Sequence, residues 1–140
     1  MEPDVIEILE ANAAFYRAFE SLEFEEMCAA WSQSASDVCI HPGWEILYGW
    51  SEVRESWRAI FASSAYMRFD LTDVEVVRMG QWARVTCVEN LYTVHEGVTQ
   101  QAKIAATNIW VLGESGWKLS LHHGSPIGHS VEVGDDELLN

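Results

Sequence analysis

The chain has 140 residues, 49% hydrophobic and 21% charged, which fits one folded domain around one core. Its net charge of −14, from 22 acids against 8 bases, repels phosphate backbones and anionic bilayers, so neither nucleic acid nor membrane is expected as a partner. The three cysteines, Cys28, Cys39 and Cys87, lack CxxC spacing and sit among apolar neighbours; buried free thiols suit a cytoplasmic protein.

The N-terminal MEPDVIEILE is acidic and amphipathic, unlike a signal peptide, and no apolar run approaches the ~20 residues that span a bilayer. Asp4 is a candidate N-cap, with Glu7 three residues on. Ile8, Ala11, Phe15, Ala18, Phe19 and Leu22 then recur at i+3 and i+4 spacing, which predicts a helix to about Glu20. A shorter helix carries Phe24, Met27, Cys28 and Trp31 on one side and ends at Ser32-Gln33-Ser34. Asp37 to His41 reads as a short strand stopped by Pro42-Gly43, and Trp44 to Trp50 as a loop or hairpin lip. Ser51 is a candidate cap for a third helix, with Val53, Trp57, Ile60 and Phe61 on its apolar side.

From Arg68 onward alternation replaces helical spacing. Strands are predicted at about 69–79, 82–95, 98–112 and 117–125, separated by turns at Gly80-Gln81, Glu96-Gly97 and Gly113–Gly116. Long antiparallel strands in a meander curl, and a curled sheet wraps helices. The expected fold is α+β: a cone-shaped, curved antiparallel sheet around three N-terminal helices, with a pocket at the open end. The domain is placed at residues 1–127, and 128–140 form an acidic tail carrying Asp135, Asp136 and Glu137.

No nucleotide loop, HExxH or GxSxG motif is present, and no cofactor or metal is assigned. The leads are polar residues in apolar settings. His41 ends the first strand and is a candidate base, or else a histidine hydrogen-bonded in a turn. On the last strand, alternation puts Trp117, Leu119, Leu121 and His123 on one face and Lys118, Ser120 and His122 on the other. The apolar set should face the helices, so His123 points into the cone and His122 outward. A zinc site from His41, His123 and an acid is the weaker alternative. Glu89 shares a face with Val85, Cys87 and Leu91, where an unpaired carboxyl would have a raised pKa; pairing with Arg84 or Arg68 is the structural alternative. Asn108 either hydrogen-bonds a ligand or bridges strands, and Tyr16 offers a hydroxyl either to the cavity or at its rim. Trp31, Trp57 and Trp110 complete the candidate ligand-binding set.

The element order and three stretches of text resemble the SnoaL-like group of the nuclear-transport-factor-2-like superfamily across residues 5 to 127. The stretches are Cys39-Ile40-His41-Pro42-Gly43 followed by Gly49, Trp57 and Phe61; Ala106-Thr107-Asn108-Ile109; and Gly116-Trp117-Lys118 leading to His122-His123-Gly124-Ser125-Pro126. The last strand also resembles the association domain of calmodulin-dependent kinase II. The superfamily includes isomerases, cyclases, dehydratases, epoxide hydrolases and non-catalytic oligomerising domains. In ketosteroid isomerase the general-base Asp precedes a Pro at the end of the first strand; the matching residue here is His41 before Pro42, and no match to that enzyme's protonated Asp is found. The Asp–Arg–Asp set of the epoxide hydrolases is not recognisable. The resemblance implies a homodimer formed through the outer sheet face. The expected function is binding of a small, largely apolar organic molecule, with proton transfer by His41 as base and His123, Asn108 or Tyr16 orienting it. The alternative is a non-catalytic dimeric binding or scaffold domain.

Overall fold

The computed structural model describes residues 2–133. Helix α1 spans Pro3–Ser21. Its first turn starts at Pro3, whose missing N–H costs nothing at that position, with Glu2 extended before it. Asp4 therefore lies inside the first turn instead of capping it, and pairs with Arg78 from the sheet. The helix stops where Leu22 turns left-handed, at φ 58°. Its inward face buries Ile8, Asn12, Phe15, Tyr16, Ala18 and Phe19, so two polar residues belong to a face otherwise apolar.

Helix α2 covers Phe24–Ala30 and leads to strand β1, Val38–Ile40. The segment after His41 is a hairpin lip: β2, Leu47–Tyr48, folds back antiparallel on β1. Helix α3, Trp50–Ser63, begins two residues earlier than a Ser51 cap would place it, because Gly49 at φ 85° makes the turn.

Strands β3 (Met67–Met79), β4 (Trp82–His95), β5 (Val98–Gly113) and β6 (Gly116–Glu132) follow as an antiparallel meander. The sheet order is β2-β1-β6-β5-β4-β3, with β1 parallel to β6. Three helices thus pack against a curved, unclosed, largely antiparallel sheet, the α+β architecture expected. Strand β6 continues past residue 127, with Val131 opposite Gln101 and Glu132 opposite Gln100. Asp135, Asp136 and Glu137 lie outside the described residues.

Three register shifts interrupt the meander, one of them between β5 and β6 where Gln101 faces Val131 but Lys103 faces Ile127. In β3 the register slips between Thr72 and Glu75, where Asp73 takes a φ of 55°. In β6, Leu119 faces Trp110 but Leu121 faces Ile109, so Ser120 is an extra residue. A bulge of this kind kinks the strand and resets its alternation. The core lies between α1, α3 and the concave face. Phe19 of α1 ties α3 and the sheet together within it, with ring centroids 4.8 Å from Trp57 and 4.6 Å from Phe69. Such aromatic pairs add to the burial that holds helix to sheet.

Candidate functional site

A cavity of about 140 Å³ lies between α1, α3, the turn after β1, and strands β3 to β6. Phe19, Pro42, Trp44, Ile60, Met67, Leu91 and Ile104 form its apolar wall. Its polar lining is His41, Glu89 and His122, each 2–3% exposed; among the described residues that lining has no lysine or arginine.

His41 follows the last residue of β1. Trp44 N–H donates to the His41 carbonyl (2.9 Å) across Pro42 and Gly43, and Gly43 has φ 83°. Pro followed by a left-handed Gly is what a type II turn requires. The turn brings the Trp44 ring to the edge of the imidazole, centroids 4.8 Å apart, while Trp57 meets the imidazole at 4.7 Å and 89°. The Ser56 hydroxyl lies 2.6 Å from the Val53 carbonyl, to which it donates, and 2.8 Å from His41 Nε2. Having spent its proton, Ser56 Oγ accepts from Nε2–H, which leaves Nδ1 bare. Burial lowers the His41 pKa to about 4, so the ring is neutral at pH 7.

Glu89 projects inward from β4. Tyr16 donates to its Oε2 at 2.5 Å. Burial raises the Glu89 pKa to about 7, with the Tyr16 hydrogen bond opposing the rise, so much of the carboxyl stays protonated at neutral pH. The same burial, with Glu89 adding to it, pushes the Tyr16 hydroxyl well above its usual range. Arg84 is exposed on the opposite face of β4, and Arg68 pairs with Asp70.

His122 is the third member. Its Nδ1 is 2.6 Å from Asn108 Oδ1 and its Nε2 4.0 Å from Glu89 Oε2. Burial, then His41 and His123, lower its pKa to about 3. Behind it, Asn108 Nδ2 lies 2.9 Å from Asn12 Oδ1 and 3.2 Å from the Tyr16 hydroxyl, and Trp110 Nε1 is 3.3 Å from Asn12 Oδ1.

Simple alternation along β6 puts His123 inside and His122 outside; the structure has them the other way round. His122 is buried and His123 exposed, because the extra residue Ser120 flips the faces beyond it. His41 and Glu89 sit where a pocket residue should. Tyr16 and Asn108 stand one shell back, holding Glu89 and His122. Trp57 is buried behind His41. Trp31 packs between Trp50 and Trp57, at 6.1 and 6.4 Å, away from the cavity. Trp110 backs a separate open groove of about 400 Å³ with Trp117, Ala11 and Ala18. The one tryptophan in the cavity wall is Trp44, 45% exposed at the rim.

Sequence reasoning missed Asn12 and Ser56. The signal was present: Asn12 is four residues from Ile8, and Ser56 three from Val53, so each sits on the apolar stripe of its helix. Among the described residues no group of three or more His, Cys, Asp or Glu side chains is placed to hold a metal. No helix among them is long and apolar enough to cross a membrane.

Among known families, the SnoaL-like domain matches the chain over residues 8–128. A candidate dehydratase of the NTF2-like family from Streptomyces avermitilis is similar at 35% identity and a TM-score of 0.85, covering 90% of this chain and 97% of that one. A candidate calcium/calmodulin-dependent protein kinase type II association domain from Thiobacillus denitrificans is 31% identical, TM-score 0.76, covering 84% and 93%. A ketosteroid isomerase-like protein from Erwinia carotovora shares the fold at 20% identity, TM-score 0.78, covering 92% and 100%. A search of curated proteins finds no match.

Proposed function

The chain belongs to the SnoaL-like domain family of the nuclear-transport-factor-2-like superfamily, and we propose that its cavity binds a small, uncharged, largely apolar organic molecule and moves a proton on it, in the manner of an isomerase or dehydratase. The observation that carries this reading is the convergence of Glu89, His122 and His41 on one apolar cavity, with all three held near or fully in their neutral forms by burial. A neutral acid beside a neutral base suits proton exchange with a substrate whose charge develops only in transit. A lining without a cation disfavours carboxylate or phosphate ligands. The cavity volume limits the buried part of the ligand to roughly ten non-hydrogen atoms, small against the usual ligand pocket.

The test is deuterium uptake at carbon. The protein is incubated in D₂O with a panel of small cyclic ketones and hydroxyketones, and exchange is read by mass spectrometry. Exchange that Glu89→Gln and His122→Ala reduce by roughly a hundredfold or more supports the reading. No catalysed exchange on any member, with no shift in melting temperature, counts against it.

A second reading is favoured by the 31% identity to an association domain: a dimeric binding or scaffold domain without catalysis. Either reading is compatible with a homodimer through the outer sheet face, where Leu121 and His123 now lie in place of His122. Native mass spectrometry distinguishes monomer from dimer, and a releasable organic mass in the dimer favours the pocket reading. Buried free thiols at Cys28, Cys39 and Cys87 are compatible with a reducing cytoplasm.

A further inference from the structure

The polar groups behind the cavity form a chain whose direction is fixed from one end. An indole N–H can only donate. The Asn12 atom facing Trp110 Nε1 must therefore be oxygen. That same Asn12 oxygen faces Asn108, so the Asn108 atom opposite it must be the amide nitrogen. The Asn108 amide is planar and its orientation is thereby set: its oxygen faces His122 Nδ1 at 2.6 Å. An oxygen without a proton accepts only, so Nδ1 must carry the hydrogen. A neutral imidazole has one N–H, which leaves Nε2 bare.

The relay branches at Asn108. Its Nδ2 also lies 3.2 Å from the Tyr16 hydroxyl. If Tyr16 accepts there, its own proton is free for Glu89 Oε2, at 2.5 Å. One indole thus orients both polar walls of the cavity. Nε2 of His122 and Oε2 of Glu89 end 4.0 Å apart, too far for a direct hydrogen bond and close enough for one substrate atom to bridge.

We infer that Trp110, Asn12 and Asn108 are positioning residues that hold His122 as its Nδ1–H tautomer, so that Nε2 is the proton acceptor of the site and Glu89 the proton donor. Resting on the proposed proton transfer, the cycle balances within the pair. Nε2 takes a proton from one substrate atom, the electron pair left behind shifts through the substrate, and the Glu89 carboxyl gives a proton to another atom. The substrate is isomerised with no net gain of protons. Imidazolium and carboxylate remain, and one proton passing between them restores the start. None of the three positioning side chains lines the cavity, so each acts through His122 or Tyr16.

The test reads the tautomer directly, without needing a substrate. In ¹⁵N-labelled protein at pH 7, long-range ¹H–¹⁵N correlation should show His122 with a pyrrole-like Nδ1 and a pyridine-like Nε2. The reverse pattern overturns the inference. Trp110→Phe keeps most of the ring and removes the N–H, and should let both tautomers appear; a single unchanged tautomer would show that the indole does not set the relay. Asn12→Asp, which keeps an acceptor for both donors, should retain the native tautomer, and it serves if the Phe variant does not fold. The expected tautomer without deuterium exchange would remove the proposed reaction and leave the relay standing. Exchange with the reverse tautomer would do the opposite.

Discussion

His122 and His123 are chemically identical neighbours with opposite surroundings. Replacing His122 by Ala removes a fully buried ring that touches Phe15 at 5.1 Å and leaves Asn108 Oδ1 without its donor. The expected cost is about 2–4 kcal/mol. His123→Ala trims an exposed side chain and should stay within about 0.5 kcal/mol. Urea denaturation of both variants checks this, and equal costs would contradict the placement of the bulge. At this scale the sequence showed part of the site. Glu89 and His41 stood out because each is a polar residue in an otherwise apolar strand pattern. His122 did not, because nothing in Leu119-Ser120-Leu121 marks a bulge; the extra residue exists only as a mismatch with β5. The tryptophans misled for a related reason. A large aromatic serves a core or a cavity wall equally well, and only contact decides: Trp31, Trp57 and Trp110 are all buried and none lines the cavity.

Elements are more legible than contacts. Gly turns and period-two alternation located β3, β4, β5 and the start of β6 to within two residues, since those signals are local; the end of β6, expected at 125, falls seven residues short of Glu132 because Pro126 reads as a stop. The parallel pairing of β1 with β6 is non-local: Ile40 meets His123 across 83 residues of chain, and no local pattern specifies it. That pairing is what brings His41 to His122, with ring centroids 6.4 Å apart. Gly124 makes the approach possible. A Cβ there would meet Ile104 Cγ2 and Pro42 Cγ, both at 3.1 Å, and both residues line the cavity. Gly124→Val should therefore cost about 1–3 kcal/mol by overpacking and displace the turn that carries His41. The expected readouts are a lower urea midpoint and shifted His41 ring signals. Unchanged stability and unchanged signals would mean that the turn does not press on β6.

For the whole molecule, burial of neutral acid and base groups gives stability a definite pH dependence. The histidines, near 6.5 when unfolded and lowered to about 4 and about 3 when folded, favour the native state above pH 6.5 and lose that contribution as pH falls towards 4. Glu89 acts oppositely. Its carboxyl ionises near 4.3 in the unfolded chain but near 7 in the fold, so its burial costs nothing below pH 4 and increasingly destabilises the native state from pH 4.3 to 7. Between pH 4.5 and 6, with the other groups left aside, the unfolded state holds two protons on the histidines and the native state one on Glu89, so stability rises with pH; near pH 7 the remaining protons of the two states balance, and above it all three groups are deprotonated in both states and the curve is flat. The expected curve climbs to a plateau from about pH 7. Glu89→Gln should steepen the rise and be more stable than the parent at pH 8 by on the order of 3 kcal/mol, with little difference at pH 4. A parent more stable than the variant at pH 8 would mean that ionised Glu89 is favourably paired.

The central claim is that a buried carboxyl shares this cavity with a neutral base and is still able to give up a proton near neutral pH. It is tested most directly by following the Glu89 side-chain carboxyl in ¹³C-labelled protein from pH 4 to 9, with Glu89→Gln assigning the signal. A midpoint near 7 is the expected result. A midpoint near 4 would make Glu89 an ordinary ionised carboxylate and contradict the account.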